Sequence, residues 1–522
     1  MVDEPARPSA PESRWVVRLP DERATARLAR ELAPLMRPGD LLTLSGDLGA
    51  GKTTFARALV RELTGEPALE VPSPTFTLMQ AYAAPRFAIV HADLYRIASA
   101  DELAELGWEE AAEDSLVLVE WPERVPFLLA AERLDVALRL DPGAGDAARV
   151  AVLTGVGAWA GRIERARATH ELLAHSGWAQ ARREHLQGDA STRAYERLSL
   201  GDQTAILMIA PRRPDGPPVR MGRPYSAIAR LAESVHPFVA LADGLRARGF
   251  SAPAILASDL DAGLLLLEDL GSEPVVDENG PMPARYAEAS AVLATLHGMD
   301  LPDTLPVEGD ADHVIPPYDI EAYLIEAELV LDWYVPHILG SEVSGSVRSS
   351  FVNLWRAALE PIVATPATWT LRDFHSPNLI WLPEREGVQQ VGLLDFQDAV
   401  MGHPAYDCVS LMQDARVDVP EELEIKLLGH YARLRKAADP SFDMGDFAHA
   451  YAVLGAQRAT KILGIFARLD RRDGKPQYLK HLPRIERYIR RDLSHPVLSD
   501  LRSWYETNLP TLFANGDSAP LV

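Results

Sequence analysis

Asp373 and Asn378 stand five positions apart in Thr370-Leu-Arg-Asp-Phe-His-Ser-Pro-Asn378, and Asp395 follows the apolar run Val391-Gly-Leu-Leu394. Pro377 and the His375-Ser376 pair break any helix there, so the first two groups share a loop. Val391–Leu394 reads as a short buried strand. ATP-dependent phosphoryl transfer needs this set of groups. One carboxylate orients the acceptor hydroxyl and takes its proton, while an amide oxygen and a second carboxylate hold Mg²⁺ against the phosphates. Asp373 is accordingly the candidate base, and Asn378 and Asp395 are the candidate metal ligands. Each alone is an ordinary turn residue; the specificity lies in the order Arg-Asp-x₄-Asn, strand, Asp-Phe.

A second phosphate-binding pattern lies far upstream. Asp40–Ser45 predicts a strand, and Gly46-Asp47-Leu48-Gly49-Ala50-Gly51-Lys52-Thr53 follows it directly. Thr54–Leu63 then has helical spacing. A strand, G-x₄-G-K-T and a helix make a P-loop (Walker A), whose glycines let backbone N–H groups wrap phosphate at the helix start. Gly46 to Thr54 are thus nucleotide-binding candidates, with Lys52 on the β- and γ-phosphates and the Thr53 hydroxyl on Mg²⁺. Two further predicted strands, Arg86–Ala92 and Ser115–Val119, run into Asp93 and Glu120. Ligands bind at the carboxyl ends of parallel strands, so both acids can face the P-loop. Glu120 would complete the metal shell or polarise water, and Asp93 is a second candidate for that work. Either is equally plausible as a strand-end cap.

Length and composition bound these sites. The chain has 522 residues, enough for two or three domains. No run of 18 apolar residues exists, so no membrane span is predicted. Met1–Pro8 lacks an apolar signal core and reads as a disordered leader. A single cysteine, Cys408, allows no internal disulfide and suits a reducing cytoplasm. The formal net charge of −23 argues against a protein that grips nucleic acid on its own.

Four separated motifs appear in order in the first part: Gly46–Thr53, Val71-Pro-Ser-Pro-Thr-Phe-Thr77, His91-Ala-Asp-Leu-Tyr-Arg96 and Val119-Glu-Trp-Pro-Glu123. Together they resemble the TsaE-type ATPase subunit of the bacterial machinery that makes threonylcarbamoyladenosine on tRNA, over roughly residues 15–155. The resemblance implies Thr75 on a switch-like segment touching the nucleotide and Trp121 near the base or the metal shell. It also implies a regulatory ATPase whose partners are TsaD/TsaB-like proteins of a tRNA-modifying transferase complex. Leu371–Leu379, Leu394-Asp-Phe-Gln-Asp-Ala-Val400 and Pro404-Ala-Tyr-Asp-Cys-Val-Ser410 resemble aminoglycoside phosphotransferase-like kinases. Within that group the likeness is to the bacterial N-acetylmuramate/N-acetylglucosamine (AmgK-like) kinases of cell-wall recycling. It implies ATP, Mg²⁺, an amino sugar and transfer to the anomeric hydroxyl.

That likeness organises the rest of the chain. Gly188-Asp-Ala-Ser-Thr-Arg-Ala-Tyr195 falls where a kinase covers its nucleotide, and Thr204–Ala210 is the partner strand. Kinases carry a phosphate-binding lysine near Met208; this chain has none, and Arg193 is the candidate substitute. Ala262–Leu270 reads as the hinge strand, with backbone at Glu268 and Leu270 meeting adenine. Helices are expected over 284–300, 319–335, 344–364, 420–438 and 444–470. Glu321, Glu328 and Asp332 make a solvated acidic stripe in this reading. Gln457, Lys461 and Arg468, with Arg458 at the edge, make a basic face from which Arg458 and Lys461 would contact substrate.

The expected architecture is an α/β P-loop NTPase domain over residues 12–157, fused to an α+β two-lobed protein-kinase-like (aminoglycoside phosphotransferase) domain over 165–522. The lobes are expected at about 180–270 and 280–510. Gly155–Gly161 would join the domains, and Thr169–Ala179 would open the second with a helix. Other readings of the second half are phosphorylation of an aminoglycoside or another amino sugar, protein phosphorylation, or a catalytically dead nucleotide-binding module.

Overall fold

The computed structural model describes residues 11–97, 100–105, 107–186, 193–212 and 216–514. The expected leader and the Gly188–Thr192 part of the nucleotide loop lie outside these residues. The chain divides between Ala179 and Gln180 into two compact units.

The first unit contains β1 (Glu12–Leu19), α1 (Glu22–Leu32), β2 (Leu41–Ser45), α2 (Lys52–Thr64), β3 (Met79–Ala83) and β4 (Ala88–Asp93). Short helices α3 (Ala100–Glu105) and α4 (Trp108–Ala112) precede β5 (Ser115–Glu120), β6 (Arg133–Leu140), β7 (Arg149–Val156) and α5 (Ala158–His175). The strands form one sheet in the order β1-β7-β6-β2-β5-β4-β3. Its centre, β6-β2-β5-β4, is parallel, and all six residues of β5 are buried. Parallel strands covered on both faces need such continuous apolar runs. On α2, Phe55, Ala56, Leu59 and Val60 make the buried stripe.

The helix expected to open the second unit instead closes the first. α5 starts at Ala158 and packs on β1 and β7, burying Trp159 and Ile163. Gly157 and Gly161 suggest a linker in the sequence, but Gly157 is the N-cap of α5, with φ 67°, and Gly161 lies on its exposed side. At Gly155, a Cβ would overlap the Trp159 backbone, so the close return of the chain requires glycine.

The second unit opens with β8 (Arg182–Leu186), β9 (Ala194–Leu200) and β10 (Gln203–Ile209). Then come a small hairpin, β11 (Pro218–Arg220) and β12 (Arg223–Pro224), and α6 (Tyr225–Ile228) and α7 (His236–Arg246). β13 (Ile255–Asp259) and β14 (Leu264–Glu268) complete a five-stranded sheet of order β13-β14-β10-β9-β8. A helical lobe follows, with α8 (Pro283–Leu296), α9 (Ile320–Ala327) and helices over Gly345–Val363, Ala405–Met412, Glu421–Ala438 and Met444–Asp473. Two short ladders frame its irregular centre: Thr368–Thr370 with Val400–Gly402, and Leu379–Trp381 with Val391–Leu393. Among the described residues, no helix is long and apolar enough to cross a membrane.

The acidic stripe is ion-paired, with Glu328 buried and Glu321 and Asp332 still partly solvated. Arg356 bonds Glu321 at 2.7 Å, Arg348 reaches Glu328 at 3.2 Å and Asp332 at 2.5 Å, and Arg220 adds a bond to Glu328. Gln457 and Arg458 are likewise buried. Periodicity within one helix cannot reveal charges that arrive from distant segments.

A cavity of about 260 Å³ lies among the C-terminal helices, lined in part by Glu424, Tyr451, Arg491, Asp492 and His495. Arg491 bonds both oxygens of Glu424, at 2.7 and 2.9 Å. Burial pushes the Asp492 carboxyl up to about 8, with Glu424 adding to the effect and Arg491 opposing it. Unfolded, this group titrates at about 4, so the folded state binds its proton more tightly. Its contribution to stability is therefore complete below about pH 4 and is lost as pH rises to about 8. Asp492→Asn keeps the shape and cannot ionise. Urea unfolding at about pH 5 and about pH 8.5 should show the wild type losing more stability across the interval than the variant. Equal losses would mean that Asp492 ionises freely in the fold.

Candidate active sites

In the first unit, the parallel sheet brings three strand ends together. β4 and β5 pair with Asp93 opposite Glu120, and β5 pairs with β2 so that Glu120 lies opposite Leu44, just ahead of the P-loop. Thr53 Oγ1 donates to Glu120, 2.9 Å from Oε1 and 3.0 Å from Oε2. His91 Nε2 lies 3.0 Å from the same carboxylate. Lys52 is buried and donates to the Gly46 and Asp47 carbonyls at 2.7 and 3.0 Å, with its ammonium 3.6 Å from the Trp121 ring centroid. Burial lowers its pKa, against the pull of Glu120. Gly46 has φ +131°, and a Cβ there would overlap the Leu138 carbonyl.

Asp47, Leu48 and Gly49 form the exposed tip of this loop, Ala50 is buried, and Gly51 is the left-handed cap of α2 ahead of Lys52, Thr53 and Thr54. Asp93 serves a different segment. Its Oδ2 accepts from Ser73 at 2.6 Å and Thr75 at 3.0 Å, and its Oδ1 accepts the Tyr95 N–H at 3.0 Å. Thr75 is thus anchored on Asp93, while Glu120 is the acid on Thr53. Arg149 is absent from the sequence-based site; its guanidinium reaches the Ala50 carbonyl at 3.2 Å and braces the loop from β7.

In the second unit, the loop Leu371–Asn378 is held by buried carboxylates. Asp407 accepts the N–H groups of Leu371 and Arg372 at 2.7 and 2.8 Å. Asp414 accepts the Ser376 N–H at 2.9 Å and its hydroxyl at 2.6 Å. Arg372 takes a left-handed φ of 66°, donates to the Ala229 carbonyl at 3.0 Å and pairs with buried Glu326. Asn378 donates its amide N–H to the Asp373 carbonyl at 2.9 Å, leaving the amide oxygen as an acceptor. Its own carbonyl accepts the Leu394 N–H at 2.9 Å, which sets Asn378 beside Asp395. Asp395, with φ 56°, accepts from Gln397 at 2.8 Å and from Arg193 at 2.9 Å.

The predicted trio therefore meets. Burial opposes ionisation of Asp373, but His375, Lys461, Arg458 and Arg372 outweigh it and hold the carboxyl below its usual range. Burial and the nearby Asp373 raise that of Asp395 despite Arg193. His375 is pushed down to about 4, chiefly by burial, so it is a neutral imidazole at pH 7. An amide oxygen beside a carboxylate that is 38% exposed suits a hard cation sharing its remaining positions with phosphate and water.

Other predicted contacts are differently employed. Glu268 gives its N–H to the Ala254 carbonyl at 2.9 Å, and its carboxylate takes Arg246 and Arg385. The Glu268 N–H is therefore occupied, while none of these bonds uses its backbone carbonyl or the backbone of Leu270. Lys461 is held by Glu326 at 2.9 Å, whereas Arg458 donates to Ser410 at 2.8 Å. Asp407, Asp414 and Glu326 are missed by the sequence reading. Asp407 alone carries a signal, as a lone acid among apolar helical neighbours in Ala405-Tyr-Asp-Cys-Val409, which demands buried partners.

These features define a P-loop nucleotide-binding unit and a two-lobed protein-kinase-like unit. The family model of the threonylcarbamoyl adenosine biosynthesis protein TsaE matches residues 19–147, and that of the phosphotransferase enzyme family matches residues 183–443. An N-acetylmuramate/N-acetylglucosamine kinase of Caulobacter vibrioides is 38% identical over 359 residues, covering 66% of this chain and 97% of the relative. The Pseudomonas aeruginosa kinase of the same name is 33% identical over 63% of this chain and 90% of its own. A tRNA threonylcarbamoyladenosine biosynthesis protein TsaE of Rickettsia felis is 43% identical over 122 residues, 23% of this chain and 71% of the relative. The chain belongs to both families, TsaE in its first unit and the phosphotransferases in its second. It is an enzyme, with a phosphotransferase domain following a TsaE-type ATPase domain.

If Lys461 balances Glu326, Lys461→Met should leave that charge to Arg372 alone and destabilise the second unit by about 3 kcal/mol. Guanidinium unfolding measures it. A loss under about 1 kcal/mol would mean that Arg372 suffices and that Lys461 is available to a ligand.

Proposed function

We propose that the chain is a bifunctional fusion: an ATPase supporting tRNA threonylcarbamoyladenosine formation, and an ATP-dependent kinase of N-acetylmuramate and N-acetylglucosamine in cell-wall recycling. The observation that carries the kinase reading is the meeting of Asp373 and Asn378, on one braced loop, with Asp395 just past the strand Val391–Leu393. Asp373, kept ionised by Lys461, Arg458 and Arg372, accepts a hydrogen bond from the sugar hydroxyl and takes its proton as the oxygen attacks the γ-phosphorus of ATP, the bond to the β,γ-bridging oxygen breaks and ADP leaves. The anomeric hydroxyl is the most acidic on the sugar, so one carboxylate acting late is enough, and the product is a sugar 1-phosphate. Asn378 and Asp395 are the residues that would hold Mg²⁺, which when bound disperses the charge developing on the phosphates. The backbone at Glu268 and Leu270 is assigned to the adenine edge, and Arg458, on leaving Ser410, to the lactyl carboxylate that distinguishes N-acetylmuramate.

In the first unit, Lys52 would exchange the Gly46 and Asp47 carbonyls for the β- and γ-phosphates of ATP. Thr53 and Glu120 would hold the metal, and Asp93 would position the Thr75 segment. Trp121, already against Lys52, would border the phosphates. The partners of this unit are TsaD/TsaB-like proteins, and the compartment is the cytoplasm, in keeping with free, buried Cys408.

Mass spectrometry and ³¹P NMR of products formed from ATP and the two sugars test the kinase reading. Asp373→Asn should lower turnover by about 10² or more. A methyl 1-glycoside should be inert, and equal phosphorylation of it and the free sugar would move transfer to another hydroxyl, as in an aminoglycoside-type reaction. Lys52→Ala should abolish ATP turnover by the first unit and leave sugar phosphorylation near normal. Loss of both would overturn the two-site account.

A further inference from the structure

Two arginines on the sheet of the second unit are held by acids. Arg183 is bound to Glu196 at 2.6 and 3.1 Å, and Arg197 is paired with Asp269 at 2.9 Å. On the helical side, Arg372 and Lys461 share Glu326. Arg193 is placed differently. It immediately precedes β9, and its guanidinium lies 2.9 Å from Oδ1 of Asp395, 202 residues away. Tyr195 pairs with Met208 across β9 and β10. Side chains two apart on a strand share a face, so Arg193, Tyr195 and Met208 lie on one side of the sheet. Met208 is buried and apolar. The side of the sheet nearest Asp395 thus carries this cation just ahead of β9, and β10 contributes none at Met208.

We propose that Arg193 is the phosphate-binding cation of the second unit and that it exchanges partners during binding. Without nucleotide its guanidinium rests on Asp395, in the place a metal ion would take. When nucleotide and metal arrive, it passes to the phosphate oxygens and frees the carboxylate. The argument has two parts. A guanidinium 2.9 Å from one oxygen of Asp395 sets a full positive charge beside any divalent cation on the same carboxylate, so the two repel and compete for it. Arginine's fork then matches phosphate as well as it matches carboxylate, so the same side chain can serve both partners. The inference rests on the assignment of Asn378 and Asp395 to the metal.

Two binding titrations on the full chain test it, and neither needs an acceptor sugar. Free Mn²⁺, followed by electron paramagnetic resonance, reports metal affinity; a fluorescent, non-hydrolysable ATP analogue with Mg²⁺ reports nucleotide affinity. Relative to wild type, Arg193→Ala should bind Mn²⁺ about tenfold more tightly without nucleotide, since the competing cation is gone. The same variant should bind the analogue at the second unit about tenfold or more weakly, and Arg193→Lys should recover part of that loss. Tighter Mn²⁺ with unchanged nucleotide affinity would overturn the phosphate role. Weaker nucleotide with unchanged Mn²⁺ would overturn the exchange. Wild-type protein that binds both probes as expected yet phosphorylates neither sugar would refute the sugar-kinase reading and leave the role of Arg193 standing.

Discussion

A loop with no regular ladder of its own has to satisfy its backbone elsewhere, and in the second unit two buried carboxylates do this. Asp407 takes the N–H groups of Leu371 and Arg372, and Asp414 takes those of Ser376 and Arg416. Each N–H left unpaired in such a place would cost about 1–3 kcal/mol. The positions of Asp373 and Asn378 follow from that bracing. So does the left-handed conformation at Arg372, which sends its guanidinium into the Glu326 pair and to the carbonyl of Ala229 ahead of α7. Strained backbone of this kind persists only where the surroundings over-determine it.

The first unit solves the same problem with regular structure. Parallel strands bring Asp93 and Glu120 into register at neighbouring carboxyl ends, and α2 starts where the P-loop stops. The loop needs little bracing beyond Arg149, because strand and helix fix both of its ends. One chain therefore carries two ways of presenting its candidate functional groups. One uses a helix N-terminus in a parallel sheet, and the other an irregular loop suspended from buried acids.

This difference governs what could be read from the sequence. The P-loop is local: its residues are contiguous, and its flanking strand and helix show within residues 40–63. Asp373, Asn378 and Asp395 were legible because their spacing is short. Their supports were not, since Asp407 lies 36 positions from Leu371 and Glu326 lies 46 from Arg372. The acidic stripe shows the same limit, because Arg220, Arg348 and Arg356 reach it from other segments. The error at α5 has a different cause. Glycines at 155, 157 and 161 suggest a linker, yet one permits close packing, one caps the helix and one faces outward.

The central claim is that the braced loop is already in its working position and that a sugar meets Asp373 there. A crystal structure of the chain with a non-hydrolysable ATP analogue, Mg²⁺ and N-acetylmuramate tests it most directly. The account predicts that Leu371–Asn378 keeps its bonds to Asp407 and Asp414, with backbone shifts below about 1 Å. It also predicts the anomeric oxygen within hydrogen-bond reach of Asp373 and in line with the γ-phosphate. A loop detached from Asp407, or a sugar bound with its anomeric oxygen away from Asp373, would contradict it.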